Sequence, residues 1–344
     1  MDLPYQVLYV PVGMQFSSKI AGHPAYEYRA RHSFIAIAIP AGESPLGLGD
    51  LKPLEGMNDQ GLTFSLLSYP TAGGPQAAVD ATCAVLSASD LGSWALGQFG
   101  TVAELKAALA VQPVMMEAIE LLGGVMSPFH YVVHDAGGDA LVIEFNRGVM
   151  KVYDNPVGVM TNGPEFNWHL TNLANYTFLS NVDKSTGSFG SLKVSQPDSG
   201  IATAGLPASN TSVGRFVRAA YYAQFTERAD TPDRAIQTLA HIMNNFDRPR
   251  GVSIDYPGEG GGHLEVAGLP ADSKSAYATE FTSWTNLSDL DRRVFFLRTY
   301  QNMNYARFDL AQLAGTNGPR VMPIDRVDGL AADFTEALKQ STAA

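Results

Sequence analysis

The amino-acid sequence predicts an α+β protein with a layered fold in one domain. Segments typical of strands come first, segments typical of helices follow in two blocks, and strands return in the last third. No internal repeat and no low-complexity linker divides the chain. The 344 residues are 45% hydrophobic, which is enough for a sizeable buried core.

The first third begins with three segments rich in β-branched and aromatic residues, which predict strands. They are residues 5–13, 33–39 and 61–69, with turns predicted at residues 47–49 and 57–59.

The first helical block follows. Residues 81–97 mix Ala, Leu and Trp at helical spacing, and Thr101 with Glu104 predicts a capping box for a helix over 102–110. Residues 114–122 fit either a helix or a loop.

The middle of the chain predicts a sheet. Residues 129–134 and 140–145 flank a strong hairpin turn, and residues 149–154 and 158–161 continue the pattern. Helices are predicted over 212–227 and 231–245, the second with Thr231 as N-cap and Pro232 in its first turn. Strands return at 276–286, 292–299 and 304–308, and the glycine-rich residues 258–262 form a loop.

Charge and hydropathy exclude several kinds of partner. The net charge of −11 repels phosphate backbones, so we expect no nucleic-acid partner and little attraction to anionic membranes. The longest apolar run near the start, residues 34–39, is far shorter than the ~20 residues that span a bilayer. We therefore predict no membrane span.

Cysteine and cofactor motifs are scarce. Cys83 is the only cysteine, which excludes an intramolecular disulfide and a Cys-based zinc site. Its place among Ala and Val at the start of a predicted helix is typical of a buried structural cysteine. No P-loop, dinucleotide fingerprint, zinc-protease motif or serine elbow is present, so no cofactor is predicted.

Three histidines are ambiguous. His130 and His134 are four residues apart on a predicted strand and could share one face, but neither has an obvious third ligand. We interpret them as histidines on the surface of a sheet rather than as metal ligands. His169 lies in a polar segment that predicts a loop.

Asn162 lies in a predicted turn from which its side chain could take part in catalysis. A predicted strand runs into the turn Asn162-Gly163-Pro164. Asparagine is common in turns because it tolerates left-handed backbone, and a structural role is the simpler interpretation. However, an amide N–H held at a rigid strand end can also donate to a developing oxyanion.

Four blocks along the chain are informative together: residues 55–62 (EGMNDQGL), 159–176 (VMTNGPEFNWHLTNLANY), 205–207 (GLP) and 215–218 (RFVR). They resemble the choloylglycine hydrolase and penicillin V acylase family, a branch of the N-terminal nucleophile (Ntn) hydrolases. The similar segments occur in the family's order and cover nearly the whole chain.

The resemblance implies both a fold and an activity. The fold would be a four-layer αββα Ntn-hydrolase sandwich, two antiparallel sheets between helical layers, spanning residues 1–344 as a single domain. The activity would be hydrolysis of a linear amide in a small amphipathic acylated amine, such as a conjugated bile salt, penicillin V or an acyl homoserine lactone. Family members use no cofactor and are often tetramers, so a homo-oligomer is expected.

The resemblance also implies the site residues. Asn162 matches the family's oxyanion asparagine, and Arg215 matches an arginine that supports the site. Ser68 falls where the family has a residue whose backbone N–H points at the oxyanion. Without the resemblance, Arg215 would be interpreted as an arginine at a helix start that pairs with a carboxylate.

None of the 344 residues matches the nucleophile of this family. Family members attack with an N-terminal cysteine, and its free α-amine acts as general base. The segment Asp2-Leu3-Pro4 fits the family's loop after the catalytic aspartate, so we expect a first strand with the Cys, an Arg and that Asp to lie upstream. The compartment stays open: cytoplasmic for the sequence as it stands, periplasmic or secreted with an upstream segment.

Two other hypotheses remain. The protein could be a catalytically inactive relative that binds amphipathic acyl ligands, or an unrelated α+β protein in which Asn162 and Arg215 lie far apart. Five apolar residues are candidates for an acyl pocket, with ordinary core positions as the alternative: Met14, Phe16, Met115, Met116 and Met126.

Overall fold

The computed structural model describes residues 4–40, 47–119, 124–256, 277–328 and 333–343. Its helices are α1 (Leu91–Gln98), α2 (Val102–Leu109), α3 (Phe166–Asn172), α4 (Ser212–Phe225), α5 (Pro232–Asn244), α6 (Leu310–Leu313) and α7 (Thr335–Lys339). Its strands are β1 (Gln6–Val10), β2 (Gln15–Ser18), β3 (Tyr26–Arg29), β4 (Phe34–Pro40), β5 (Leu51–Asn58), β6 (Thr63–Ser68), β7 (Leu86–Ser87), β8 (Val114–Met115), β9 (Ala118–Ile119), β10 (Val125–Met126), β11 (Phe129–His134), β12 (Ala140–Asn146), β13 (Val149–Asp154), β14 (Thr186–Phe189), β15 (Leu192–Ser195), β16 (Ile254–Asp255), β17 (Ala278–Thr279), β18 (Trp284–Asp289), β19 (Val294–Thr299), β20 (Ala306–Asp309), β21 (Arg320–Pro323) and β22 (Thr342–Ala343).

A nine-stranded sheet organises the chain. Its order is β13-β12-β11-β6-β5-β4-β1-β21-β22, and every neighbouring pair is antiparallel. Five of its adjacent strands, β13 to β5, come from two consecutive hairpin regions, whereas β21 and β22 return from the end of the chain to extend the other edge. The α+β class predicted from the sequence is therefore correct.

The outer face of this sheet is covered by α1 and α2. Seven of the eight residues of α1 are buried, and Trp94 packs in one cluster with Leu8, Phe34 and Phe64 from the sheet. Because side chains alternate along a strand, these sheet residues all lie on one face. Burial of large apolar side chains of this kind contributes roughly 1.5–3 kcal/mol each.

The inner face is covered in two separate places. At one end, Ile35 and Met57 pack against Phe295 and Phe308 of a three-stranded antiparallel sheet, β18-β19-β20. At the other end, Val132 and Val142 of the large sheet pack against residues of α3 and α4, including Phe166 and Phe216. Between these two covers, above β5 and β6, lies a cleft.

Most predicted elements are present, and the exceptions have physical reasons. The helix predicted over 81–97 is wrong in its first half, because Leu86 and Ser87 pair in parallel with Val114 and Met115, and the helix begins only at Leu91. Residues 51–58, for which the sequence predicts only a turn at 57–59, form the full strand β5. Residues 158–161 form no strand.

Two expectations concern the remainder of the chain. The loop predicted over 258–262 and the segment Asp2-Leu3 lie outside the described residues. None of the helices that the structure describes is long and apolar enough to cross a membrane.

Candidate active site

The side chain of Asn162 connects two distant parts of the chain. Its amide nitrogen Nδ2 donates to the carbonyl oxygen of Ser68 (2.9 Å), and its oxygen Oδ1 accepts from Nη2 of Arg215 (2.7 Å). The three residues predicted as site residues thus form one hydrogen-bonded chain. They come from the loop after β13, the end of β6 and the first turn of α4.

Local structure places Asn162 rigidly. In the preceding loop, Asn155 donates through Nδ2 to the carbonyl of Val159 (3.1 Å) and accepts at Oδ1 from the backbone N–H of Gly158 (3.0 Å). These bonds close the loop as an asparagine turn typically does. Thr161 is buried and donates to the carbonyl of Ser212 at the start of α4 (2.9 Å).

Arg215 is held by the turn before its own helix. Thr211 caps α4 by accepting from the backbone N–H of Gly214, and Nε of Arg215 donates to the carbonyl of Asn210 (3.0 Å). Burial, and secondarily the nearby charge of Arg248, lowers the pKa of Arg215 to about 10. The guanidinium therefore stays charged at neutral pH beside the amide of Asn162.

Asn162 keeps one donor for a ligand. A primary amide carries two N–H groups, and the bond to Ser68 uses one of them. Asn162 is half-buried and Ser68 is exposed. Ser68 lines the adjacent cleft, whereas Asn162 itself is not among the lining residues. The contact that Ser68 makes is through its carbonyl, whereas the sequence pointed to its backbone N–H.

The adjacent cleft has a volume of about 800 Å³. Ser68 and Arg215 are part of its lining. Apolar walls come from Leu66, Phe129 and Phe281, and Arg248 and Lys52 are two further cations in the lining. A mostly apolar cavity with a few charged groups is typical of a site for an amphipathic small molecule.

Glu55 faces this cleft and was not singled out by the sequence. Its Oε2 accepts from Nε1 of Trp284 (3.0 Å) and its Oε1 from Oγ of Ser65 (3.3 Å). With its amide nitrogen assigned to the carboxylate side, Asn286 donates to both oxygens (2.8 and 2.7 Å). Burial raises the pKa of Glu55. The sequence signal that could have identified Glu55 was the alternation of side chains along β5, which places it on the same face as buried Met57.

Two of the three histidines do not lie where the sequence predicted. His130 and His169 are fully buried, the second on α3 rather than in a loop, so neither is a surface histidine. His134 is half-buried and donates through Nε2 to the carbonyl of Gly158 (3.0 Å). Within the described ranges, no group of three or more His, Cys, Asp or Glu side chains is arranged to hold a metal ion.

Cys83 is exposed, which corrects the expectation of a buried structural cysteine. It lies in a turn before β7, because the helix starts later than predicted, and its backbone N–H donates to the carbonyl of Asp80 (2.9 Å). It is not among the residues that line the cleft.

The five candidates for an acyl pocket do not line the cleft either. Phe16 and Met116 are buried in the core beneath α1 and α2, and Met14 packs against that core. Met115 belongs to β8, and Met126 is partly exposed. The core alternative is therefore correct for Phe16 and Met116.

Comparison with known proteins agrees with this geometry. The model of the family described as linear amide C–N hydrolases, choloylglycine hydrolase family, matches residues 10–261. The chain belongs to this family. The hypothesis of an unrelated α+β protein is therefore wrong, and the contact between Arg215 and Asn162 excludes the separation it required.

Among its relatives in the choloylglycine hydrolase family is the bile salt hydrolase/transferase of Lactiplantibacillus plantarum, 30% identical over 268 residues, or 75% of each chain. A conjugated bile acid hydrolase of Lactobacillus acidophilus is 36% identical over 193 residues, which cover 56% of this chain and 60% of the relative.

Solved structures of the family share the fold. A single-residue variant of conjugated bile acid hydrolase from Clostridium perfringens has a TM-score of 0.75 at 20% identity, covering 96% of this chain and 92% of its own. Penicillin V acylase from Agrobacterium tumefaciens has a TM-score of 0.69 at 20% identity, covering 96% of this chain and 87% of its own.

Proposed function

We propose that this protein hydrolyses a linear amide bond in a small amphipathic acylated amine, with Asn162 as an oxyanion donor. The observation that carries the proposal is the hydrogen-bonded chain Arg215–Asn162–Ser68, whose two outer members line the cleft. Both heteroatoms of the amide are fixed, so its remaining N–H has one direction. A donor fixed before the reaction stabilises the negative charge that develops on the substrate oxygen.

In this proposal the nucleophile is an N-terminal cysteine on a strand upstream of residue 1. The cleft supports such a strand. Among the described strands, β18 is hydrogen-bonded to β19 alone, and its residues Trp284 and Thr285 line the cleft together with Glu55 and Ser65 of the large sheet. An unpaired strand edge beside a cavity is a template for one more strand.

The reaction then proceeds in two balanced steps. The thiolate attacks the carbonyl carbon of the amide, the C–N bond breaks, and the leaving amine takes the proton that the α-amine accepted from the thiol. Water next attacks the thioester, which releases the carboxylic acid and restores the thiol. An α-amine with an ordinary pKa near ~8 is suited to both proton transfers.

The proposal extends to the layers of the fold. Helix α5 packs on β18 of the small sheet, and α1 and α2 pack on the outer face of the large sheet. A helical layer outside each sheet supports the four-layer αββα Ntn-hydrolase sandwich as the complete architecture.

The substrate class follows from the relatives and the cleft. Conjugated bile acids and penicillin V both combine an apolar acyl group with an acidic group. The cleft offers apolar walls and Arg215, whose guanidinium bonds to the neutral Asn162 and Asn210. The lining cations Arg248 and Lys52 are paired with Glu280 and Asp90. We therefore propose an acyl-amide substrate that carries an acid near the scissile bond.

The test is hydrolysis by protein that carries the proposed upstream cysteine. Release of the amine from a glycine-conjugated bile acid and from penicillin V is expected, with loss after iodoacetamide. Replacing Asn162 by Ala should lower kcat by about 100-fold or more, as removal of one oxyanion donor does. Asn175→Ala is the matched control, because this exposed asparagine bonds only to Asn172 on the same turn. Hydrolysis that survives iodoacetamide would rule out the cysteine mechanism.

A second candidate is an inactive relative that binds amphipathic acyl ligands. The observation in its favour is that Cys83, the only thiol of the chain, is exposed and outside the cleft lining. This candidate predicts saturable binding of a bile acid in calorimetry without turnover, even when an upstream cysteine is present.

We also propose which surface joins copies of the protein in a homo-oligomer. The hairpin β14–β15 is exposed along its whole length, including Phe189 and Leu192. An isolated two-stranded hairpin is marginally stable in water, and exposed apolar side chains on it favour a partner. We assign this hairpin to contact with a second copy in a homo-oligomer.

A further inference from the structure

Three ionisable side chains are fully buried behind Asn162. His130 lies on β11, Glu144 on β12 and His169 on α3, and each has no solvent exposure. His130 and Glu144 are on the inner face of the large sheet, the face that Val132 and Val142 share. Burying such groups costs free energy unless they are hydrogen-bonded, so their arrangement requires a reason.

Glu144 is the centre of this arrangement. Its Oε1 accepts from Nδ1 of His130 (3.1 Å) and from the backbone N–H of Phe166, the first residue of α3 (2.8 Å). Its Oε2 accepts from the amide of Asn146 (3.4 Å), whose oxygen in turn accepts from the hydroxyl of Tyr69 (2.8 Å). The carboxylate therefore fastens the start of α3 to the large sheet.

His169 continues the connection from α3 to Asn162. It lies three residues after Phe166, and its Nε2 is 2.9 Å from the backbone carbonyl oxygen of Asn162. A carbonyl oxygen only accepts, so Nε2 carries the hydrogen. The loop that presents the Asn162 amide is thus held at its main chain by His169, while Arg215 holds its side chain.

The same network reaches Ser68 from the other side. The ring of His130 stacks on that of Tyr69, with centroids 4.7 Å apart and planes 5° from parallel. Tyr69 follows Ser68 directly, and its backbone N–H donates to the carbonyl oxygen of Pro128 (2.6 Å). On the opposite flank, the ring of His169 stacks on Phe216, the neighbour of Arg215, with centroids 4.5 Å apart.

We propose that Glu144, His130 and His169 are positioning residues, which fix the Asn162 amide relative to Ser68 so that its remaining N–H points at the reacting carbonyl. The inference rests on the proposed amide hydrolysis. None of the three touches substrate; they act through Asn162 and Tyr69.

The protonation state of His169 follows from its surroundings. Burial chiefly, and the nearby His130, lower the pKa of His169. With the hydrogen on Nε2, the neutral ring leaves Nδ1 as a bare acceptor, and this buried atom has no hydrogen-bond partner. The ring thus donates to Asn162 in one fixed tautomer at neutral pH.

The first experiment separates positioning from stability. In protein with the proposed N-terminal cysteine, His169→Leu should lower kcat by about 10- to 100-fold with KM within two-fold, because a displaced oxyanion donor affects the transition state alone. His169→Gln retains a donor at a similar reach and should recover most of kcat. His23→Gln is the control, since His23 also donates to a main-chain carbonyl, that of Cys83 (3.3 Å), and neither residue lines the cleft.

The second experiment does not depend on enzymatic turnover. It therefore tests the inference even when the His169→Leu variant fails to fold. Nitrogen-15 spectra of the imidazoles, assigned by single His→Gln variants among the seven histidines, should show His169 protonated at Nε2 and bare at Nδ1 from pH 6 to 8. The opposite tautomer would overturn the inference, as would equal kcat for the Leu and Gln variants. If wild-type protein releases no amine, the proposed function fails, and the tautomer still decides the arrangement around His169.

Discussion

The guanidinium of Arg215 donates to the side-chain oxygen of Asn162 over 2.7 Å, and this bond fixes one end of the amide. The nitrogen at the other end donates to the carbonyl of Ser68, and Ser68 and Arg215 both line the cleft. An asparagine amide has no intrinsic preference between its two orientations, so the cation at one end and the carbonyl at the other set it.

Under the proposed role of Asn162 as an oxyanion donor, replacing Arg215 should lower kcat rather than substrate affinity alone. Arg215→Met keeps the length of the side chain but leaves the side-chain amide held only at its nitrogen, by the carbonyl of Ser68, and we expect kcat for amide hydrolysis to fall by about 10- to 100-fold. Arg234→Met on α5 is the control, because Arg234 is exposed and pairs only with Asp230 one turn away. Equal steady-state kinetics for the two variants would contradict the assigned role of Arg215.

Stability should depend on pH through Glu55, which joins the two sheets. Burial raises its pKa above the ordinary 4.5, so the native state binds this proton more tightly than the unfolded chain. The stability that Glu55 contributes is complete below pH 4.5 and declines as pH rises through the raised pKa. Glu55→Gln should remove this decline.

The measurement is the difference in urea unfolding free energy between wild type and Glu55→Gln at several pH values from 4 to 7. Glu336→Gln is the control, because Glu336 is largely exposed and pairs with Lys339 on α7. A wild-type minus Glu55→Gln difference that rises with pH would show that the sign is wrong.

Gly56 is required by the spacing of β4 and β5. A Cβ at this position would lie 2.5 Å from the carbonyl oxygen of Ile35 and 2.8 Å from Cβ of Ala36. Because both atoms belong to a buried central strand pair, Gly56→Ala should destabilise the protein by roughly 1–3 kcal/mol. In chemical unfolding, Gly73→Ala should be nearly neutral, since its Cβ would meet only Met126 at 3.9 Å.

The exposed hairpin predicts the assembly state. Phe189→Ser combined with Leu192→Ser should shift the protein to a smaller species in light scattering after gel filtration, with an unchanged far-ultraviolet circular dichroism spectrum, because both side chains are exposed on their own subunit. Val149→Ser with Val182→Ser, two other exposed apolar positions, should leave the mass unchanged. A monomeric wild type would refute the assignment.

Sequence reasoning reached the fold class and the placement of Asn162 and Arg215 in one site through the order of short blocks. It did not predict that the side chain of Asn162 donates to the carbonyl of Ser68. The two residues are 94 positions apart, and a side-chain bond to a main-chain carbonyl has no sequence pattern. The block resemblance named Ser68 for its N–H, whereas the chain uses its carbonyl.

The buried groups show a different limit. Glu144 stands between apolar residues of the strand Ala140–Asn146, and that position indicates a buried carboxylate. Which partners satisfy it depends on α3, 22 residues further on. The helix expected to begin at residue 81 failed for a related reason: a pairing with residues 114–115 overrides local propensity.

The anchoring of Asn162 has a consequence for how such a protein diversifies. The amide is held by α3, α4 and β6, whereas residues such as Glu117 and Phe281 reach the cleft from separate segments. Substitutions in those segments alter the shape of the cleft without moving the side chain of Asn162. Selection for a new ligand can therefore act on the lining while the geometry of Arg215, Asn162 and Ser68 is inherited unchanged.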